Sequence, residues 1–138
     1  MSTLYGNEIL MVDWKQKKKL DNRSYGMFTF VEENNGIIGI RADLGYEIQL
    51  EGKHIGYIYS SFMEYGIFVE YIELDSEQQG KHYFRQVLKE YMDFVHVREL
   101  YFDCGDDLLS MYQHIGSHII GYDDFIEMYH MKLEYIEL

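Results

Sequence analysis

Residues 70–92 read EYIELDSEQQGKHYFRQVLKEYM, and this stretch constrains the fold more than any other. Phe68, Val69, Tyr71, Ile72 and Leu74 are apolar or aromatic, as a strand requires. Asp75, Ser76 and Glu77 break the run and offer helix N-cap groups. Tyr83, Phe84, Val87, Leu88, Tyr91, Met92 and Val95 then recur at the rhythm of one apolar helix face. The pattern predicts a strand, a short polar turn and a helix over 78–96. In that order the free amides of the first helical turn point past the strand, a geometry suited to binding phosphate.

The chain before this unit reads as strands. Residues 8–14 suggest a first short strand, followed by the basic run KQKKK at 15–19, read as a solvated turn. At most a turn or short helix is expected around 15–23. Segments 27–31 and 37–40 flank Asn35-Gly36, a hairpin signal because both residues accept positive φ. Segments 46–50 and 54–62 flank Glu51-Gly52-Lys53, a second hairpin. A turn at 63–66 leads into the strand 67–74. After the helix, 98–104 is strand-like, with Leu100 and Phe102 alternating. Asp106 and Asp107 then cap a helix over 106–115, whose apolar side is Leu108, Leu109, Met111, Tyr112 and Ile115. Gly116 stops it. Strands at 119–122 and 126–138 close the chain around Tyr122-Asp123-Asp124. This order predicts an α/β (α+β) fold: a mixed, mostly antiparallel twisted sheet of six to seven strands, with a helix on each side.

At 138 residues the chain is expected to form a single domain, 1–138. Its net charge of −12 is uneven: −3 over residues 1–70 and −9 over residues 71–138. Such acidity argues against nucleic acid as a partner and favours a cationic amine or a basic protein. No apolar run reaches spanning length, so no membrane role is expected. The one cysteine, Cys104, fits a reducing, cytoplasmic location and reads as a small core residue. His114 and His118 are four apart, but Gly116 between them argues against a shared helix face, and no metal site is expected.

The turn Gln79-Gly80-Lys81-His82-Tyr83-Phe84 resembles the motif of the GCN5-related N-acetyltransferases, Gln/Arg-x-x-Gly-x-Gly/Ala opening a helix. Gln79 matches the first position, and His82 and Phe84 stand at the two glycines. Residues 108–116, LLSMYQHIG, resemble that family's Ala-x-x-Leu-Tyr-Glu-Lys-Leu-Gly segment, with Tyr112 and Gly116 matching. Gly105 stands where the family often has Asn, Ser117 replaces the usual Phe, and Met131-Lys132-Leu133 resembles the final strand. The resemblance covers residues 46–138 and leaves 1–45 as divergent strands.

The resemblance implies acetyl-CoA as cofactor and acetyl transfer to a primary amine. It implies Glu70 as general base and Tyr112 as the acid serving the leaving thiolate. It also implies that Ile72, Leu74, Gln79, Gly80, Lys81, His82, Tyr83, Phe84 and Arg85 hold the cofactor. A β-carbon at His82 is expected to crowd the backbone's approach to a pyrophosphate. The alternative is an inactive module of the same fold that binds a basic protein or acts as an inhibitor. Monomer and homodimer are both compatible with the sequence.

Overall fold

The computed structural model describes residues 26–33, 39–75 and 83–137. The expected strand at 8–14, the basic run at 15–19, Asn35-Gly36 and the motif residues Gln79, Gly80, Lys81 and His82 lie outside these. The described strands are β1 (Phe28–Glu32), β2 (Leu44–Leu50), β3 (Lys53–Met63), β4 (Gly66–Leu74), β5 (Glu99–Cys104), β6 (His118–Asp123) and β7 (Met128–Glu134). The helices are α1 (Tyr83–Val95) and α2 (Asp106–His114), with a short 3-10 turn, Tyr135–Glu137, after β7. The strands form one seven-stranded sheet in the order β1-β2-β3-β4-β5-β7-β6. Every neighbouring pair is antiparallel except β4 and β5, which run parallel.

Of the hairpin expected within 27–40, the described residues cover 27–33 and 39–40. Gly39 and Ile40 lie in no strand, and β1 pairs with β2, placing Phe30 opposite Ile48 and Glu32 opposite Tyr46. Gly39 has φ +72, which an extended strand does not accommodate. The pairing with β2 puts Phe28, Phe30, Ile48 and Tyr46 on one continuous buried face. The second hairpin, around Glu51-Gly52, forms as expected, with both residues at positive φ.

Both helices lie on that buried face, not one on each side. β5 and β6 are each antiparallel to β7 and so parallel to one another. The crossovers β4-α1-β5 and β5-α2-β6 step the same way across the sheet, and right-handed crossovers in one direction put their helices on one face. The helices meet where Phe84 of α1 packs on Tyr112 of α2, ring centroids 5.7 Å apart.

Tyr91 of α1 is the centre of the core. It is fully buried, packs edge-on against Phe30 at 5.3 Å and Tyr46 at 6.0 Å, and shares a hydrogen bond with Ser60 of β3. Glu90, also buried, accepts the backbone N–H groups of Met27 at 3.1 Å and Phe28 at 2.9 Å and the Gln86 Nε2 at 2.6 Å. It ties the start of β1 to α1 and satisfies amides that the sheet edge leaves over.

The element ends follow local chemistry. His96, at φ 60, closes α1, with Val97 N donating to Met92 O at 3.0 Å. Gly116, at φ 110, stops α2 as expected. Asp106 and Asp107 do not cap α2: Gly105 is the N-cap without a side-chain bond, and the two carboxylates sit in the first turn facing the helix dipole. On α2, Leu108 and Met111 are exposed, whereas Leu109 and Tyr112 pack against the core. The last turn falls later than expected, because Asp123 Oδ1 accepts the N–H groups of Phe125 and Ile126.

Candidate active site

β4 and β5 separate along their length. They pair only at Ile67 with Leu100 and Phe68 with Tyr101. β4 then runs on to Leu74 and β5 to Cys104. Among the described residues no strand lies on the β5 side of residues 69–73.

A bulge sits at the point of separation. Tyr59 of β3 faces Tyr71, but the next residue, Ser60, faces Val69, so Glu70 is the extra residue of β4. The bulge resets the alternation. Ile67 and Val69 are buried, and after the skip Ile58 faces Ile72 and Gly56 faces Leu74, keeping the core face continuous. Glu70 is left exposed at the opening.

A cavity of about 150 Å³ fills the gap. Val69 and Ile72 of β4, Phe84 and Leu88 of α1, and Phe102 and Tyr112 give it apolar walls. Glu70, Tyr71 and Asp103 supply its polar groups. Tyr112 is half-buried, its ring 4.5 Å from Phe102. Burial first, then the neighbouring Cys104 thiol, pushes its phenol up, so it keeps its proton at neutral pH. Cys104 is buried, and burial followed by Asp103, Asp107 and Asp106 raises its thiol, so the protonated, unreactive form prevails.

Asp103 reaches a histidine that sequence reading passed over. His130 Nδ1 lies 2.6 Å from Asp103 Oδ1. The hydrogen bond and charge of Asp103 hold the imidazole above its ordinary value. A raised histidine pKa means that the pair stabilises the fold fully below the unfolded imidazole's pKa, and that this is lost as pH rises through the folded value. The expected NMR titration shows His130 protonated to higher pH than a free imidazole, and Asp103→Asn brings it down.

Of the residues expected at the site, the fold brings together Glu70, Ile72, Phe84 and Tyr112. Leu74 is buried in the core. Tyr83 packs edge-on against Phe28 at 5.5 Å, and Arg85 is exposed; neither lines the cavity. Val69, Leu88, Phe102 and Asp103 are additional lining residues. The alternation of β5 marks Phe102 as a core position and the apolar rhythm of α1 marks Leu88. Only the end of β5, at a parallel pair, flags Asp103.

By sequence, the chain matches no protein-family model and no curated protein. Solved structures do match. A spermidine N-acetyltransferase chimera of Vibrio cholerae SpeG and hSSAT is 13% identical, with a TM-score of 0.61 over 82% of this chain and 100% of that one. A Bacillus subtilis acetyltransferase in complex with CoA is 14% identical, with a TM-score of 0.59 over 78% and 97% of the two chains. A GNAT family acetyltransferase from Elizabethkingia anophelis with acetyl-CoA bound is 13% identical, with a TM-score of 0.53 over 79% and 99%. Strand order, the parallel pair β4 and β5 that splays at a bulge, and these likenesses agree: this chain is a GNAT-fold protein.

Proposed function

We propose that the chain transfers an acetyl group from acetyl-CoA to the primary amine of a cationic acceptor. The observation that carries this reading is the splay of β4 from β5 around an apolar cleft with Glu70 at its mouth. The cleft suits a slender amide-bearing chain. Backbone groups of residues 69–73 on the open side of β4 offer it strand-like hydrogen bonds, and Val69, Ile72, Phe84 and Phe102 offer apolar contact. When bound, acetyl-CoA supplies a thioester carbonyl and a thiol leaving group. Glu70 is exposed at the bulge, where an incoming ammonium reaches it, and its carboxylate takes the proton that blocks the nitrogen lone pair. Tyr112 Oη holds a proton in the same cleft, available to a departing anion. The net charge of −12 draws cations towards the protein. Two of the similar structures, the spermidine N-acetyltransferase chimera and the acetyl-CoA complex, support the acceptor and donor classes.

The test is thiol release from acetyl-CoA, with spermidine as acceptor, beside calorimetry of coenzyme A. Amine-dependent release is expected. Tyr112→Phe should slow it by about tenfold or more with unchanged coenzyme A affinity, because the lost group acts in the transition state. Absence of both coenzyme A binding and thiol release would favour the inactive acidic module.

A further inference from the structure

The β5–β7 ladder sets a carboxylate beside an imidazole at the far mouth of the cleft. Leu100, Phe102 and Cys104 of β5 are buried under the helices, so alternation turns Asp103 to the opposite face. Its partner across the ladder is His130, with Nδ1 2.6 Å from the Asp103 Oδ1. The His130 and Asp103 side chains are 42% and 25% exposed, so a solute reaches both. The cavity wall runs from Phe84, Leu88 and Tyr112 on the helix side to Asp103 on the far side, and so passes through the sheet between β4 and β5. A thiol served by Tyr112 leaves the far mouth to the acceptor. Glu70 stands on the β4 side of the cleft and Asp103 on the β5 side.

A carboxylate holds an ammonium by charge and by hydrogen bonds. When His130 is protonated, the charge of Asp103 is already met. The neutral ring still donates Nδ1–H but leaves Asp103 its full charge. The surroundings of the ring do not change this. Across β6 it faces Gly121, which brings no charge, and Asp123 of the same strand adds to the upward push of Asp103. Along β7, Lys132 shares the face but is held by Glu99 at 3.4 Å and Glu134 at 3.9 Å, with His118 opposite it on β6. Both helices lie on the other face of the sheet.

We propose that Asp103 holds the acceptor ammonium beside Glu70, and that His130 acts through Asp103: the imidazolium opposes acceptor binding and the neutral ring permits it. The inference rests on the acyl-transfer reading and adds a residue that positions the acceptor, with a pH dependence of its own. Glu70 takes the proton; Asp103 keeps the nitrogen in reach while it does so. Because ammonium and imidazolium compete for one carboxylate, acceptor affinity rises as pH climbs through the His130 pKa. By linkage, a bound ammonium lowers that pKa.

Two measurements test this. His130 is followed by NMR titration with and without spermidine, at one ionic strength and without coenzyme A. The acceptor KM is measured in the thiol-release assay across the imidazole range. Spermidine should lower the His130 pKa, and the wild-type KM should fall as pH rises through it. Asp103→Asn should raise KM at high pH by about threefold to tenfold, the worth of one partly exposed ion pair. It should also flatten the pH dependence of KM, with far less change in kcat. His130→Gln takes no proton and should lower KM at low pH towards its high-pH value, an improvement that loss of a structural contact would not give. Circular dichroism melts verify that each variant is folded. An unmoved His130 pKa, or an unchanged KM in Asp103→Asn, overturns the role of Asp103, while thiol release would still uphold acyl transfer. A lowered His130 pKa without thiol release keeps the ammonium site and removes the acyl-transfer reading.

Discussion

Glu70→Gln should lower amine-dependent turnover by about 10²–10⁴-fold, the range for loss of a general base, and leave coenzyme A affinity unchanged. The amide is nearly isosteric with the carboxylate but cannot accept a proton from an ammonium. Glu70 is exposed and is the extra residue of the β4 bulge, so the change removes no core contact. The fall should therefore appear in kcat rather than in stability. Glu73→Gln is the comparison within the same strand: its carboxylate sits beyond the cleft, held by the Tyr71 hydroxyl, so any effect should fall on KM and leave kcat near wild-type. Steady-state kinetics on both variants decide the matter. Wild-type turnover in Glu70→Gln would remove Glu70 from the chemistry.

Gly56→Ala should destabilise the fold by about 3 kcal/mol, at the top of the usual range for overpacking. A Cβ at Gly56 would stand 1.9 Å from the Glu73 carbonyl oxygen and 3.0 Å from the Leu74 Cα. Both atoms are backbone on the neighbouring strand, so no rotamer change relieves the clash. β3 and β4 must part, and that rupture lies inside the pairing that sets the bulge register. Chemical denaturation should show a lower midpoint at an unchanged slope. An unchanged midpoint would show that the strands yield freely there.

The strand–turn–helix unit was legible because its apolar positions keep one period each, and Val87, Leu88, Tyr91 and Met92 are buried where that rhythm puts them. The bulge left a trace that period-2 reading overlooks: the buried positions run Ile67, Val69, then Leu74, with core-facing Ile72 between, so the step skips at Glu70. The partner of β1 was out of local reach: the face that Phe28 and Phe30 complete with Ile48 and Tyr46 is decided by contacts distant in sequence. The placement of both helices on one face was equally out of reach, because it depends on β7 inserting between β5 and β6. The Asp103–His130 pair crosses that same long-range ladder.

Mechanically, the sheet is two plates joined by a narrow web. Eight residue pairs fasten β3 to β4, whereas two fasten β4 to β5. Below that web the plates touch through the rings of Phe84, Tyr112 and Phe102. Shear between the plates concentrates at Ile67, Phe68, Leu100 and Tyr101, because the ladders on either side are longer and stiffer. A molecule lying along the open edge of β4 and touching β5 acts as a strut across the web. It stiffens both plates against one another, so its arrival registers in amides far from any contact it makes.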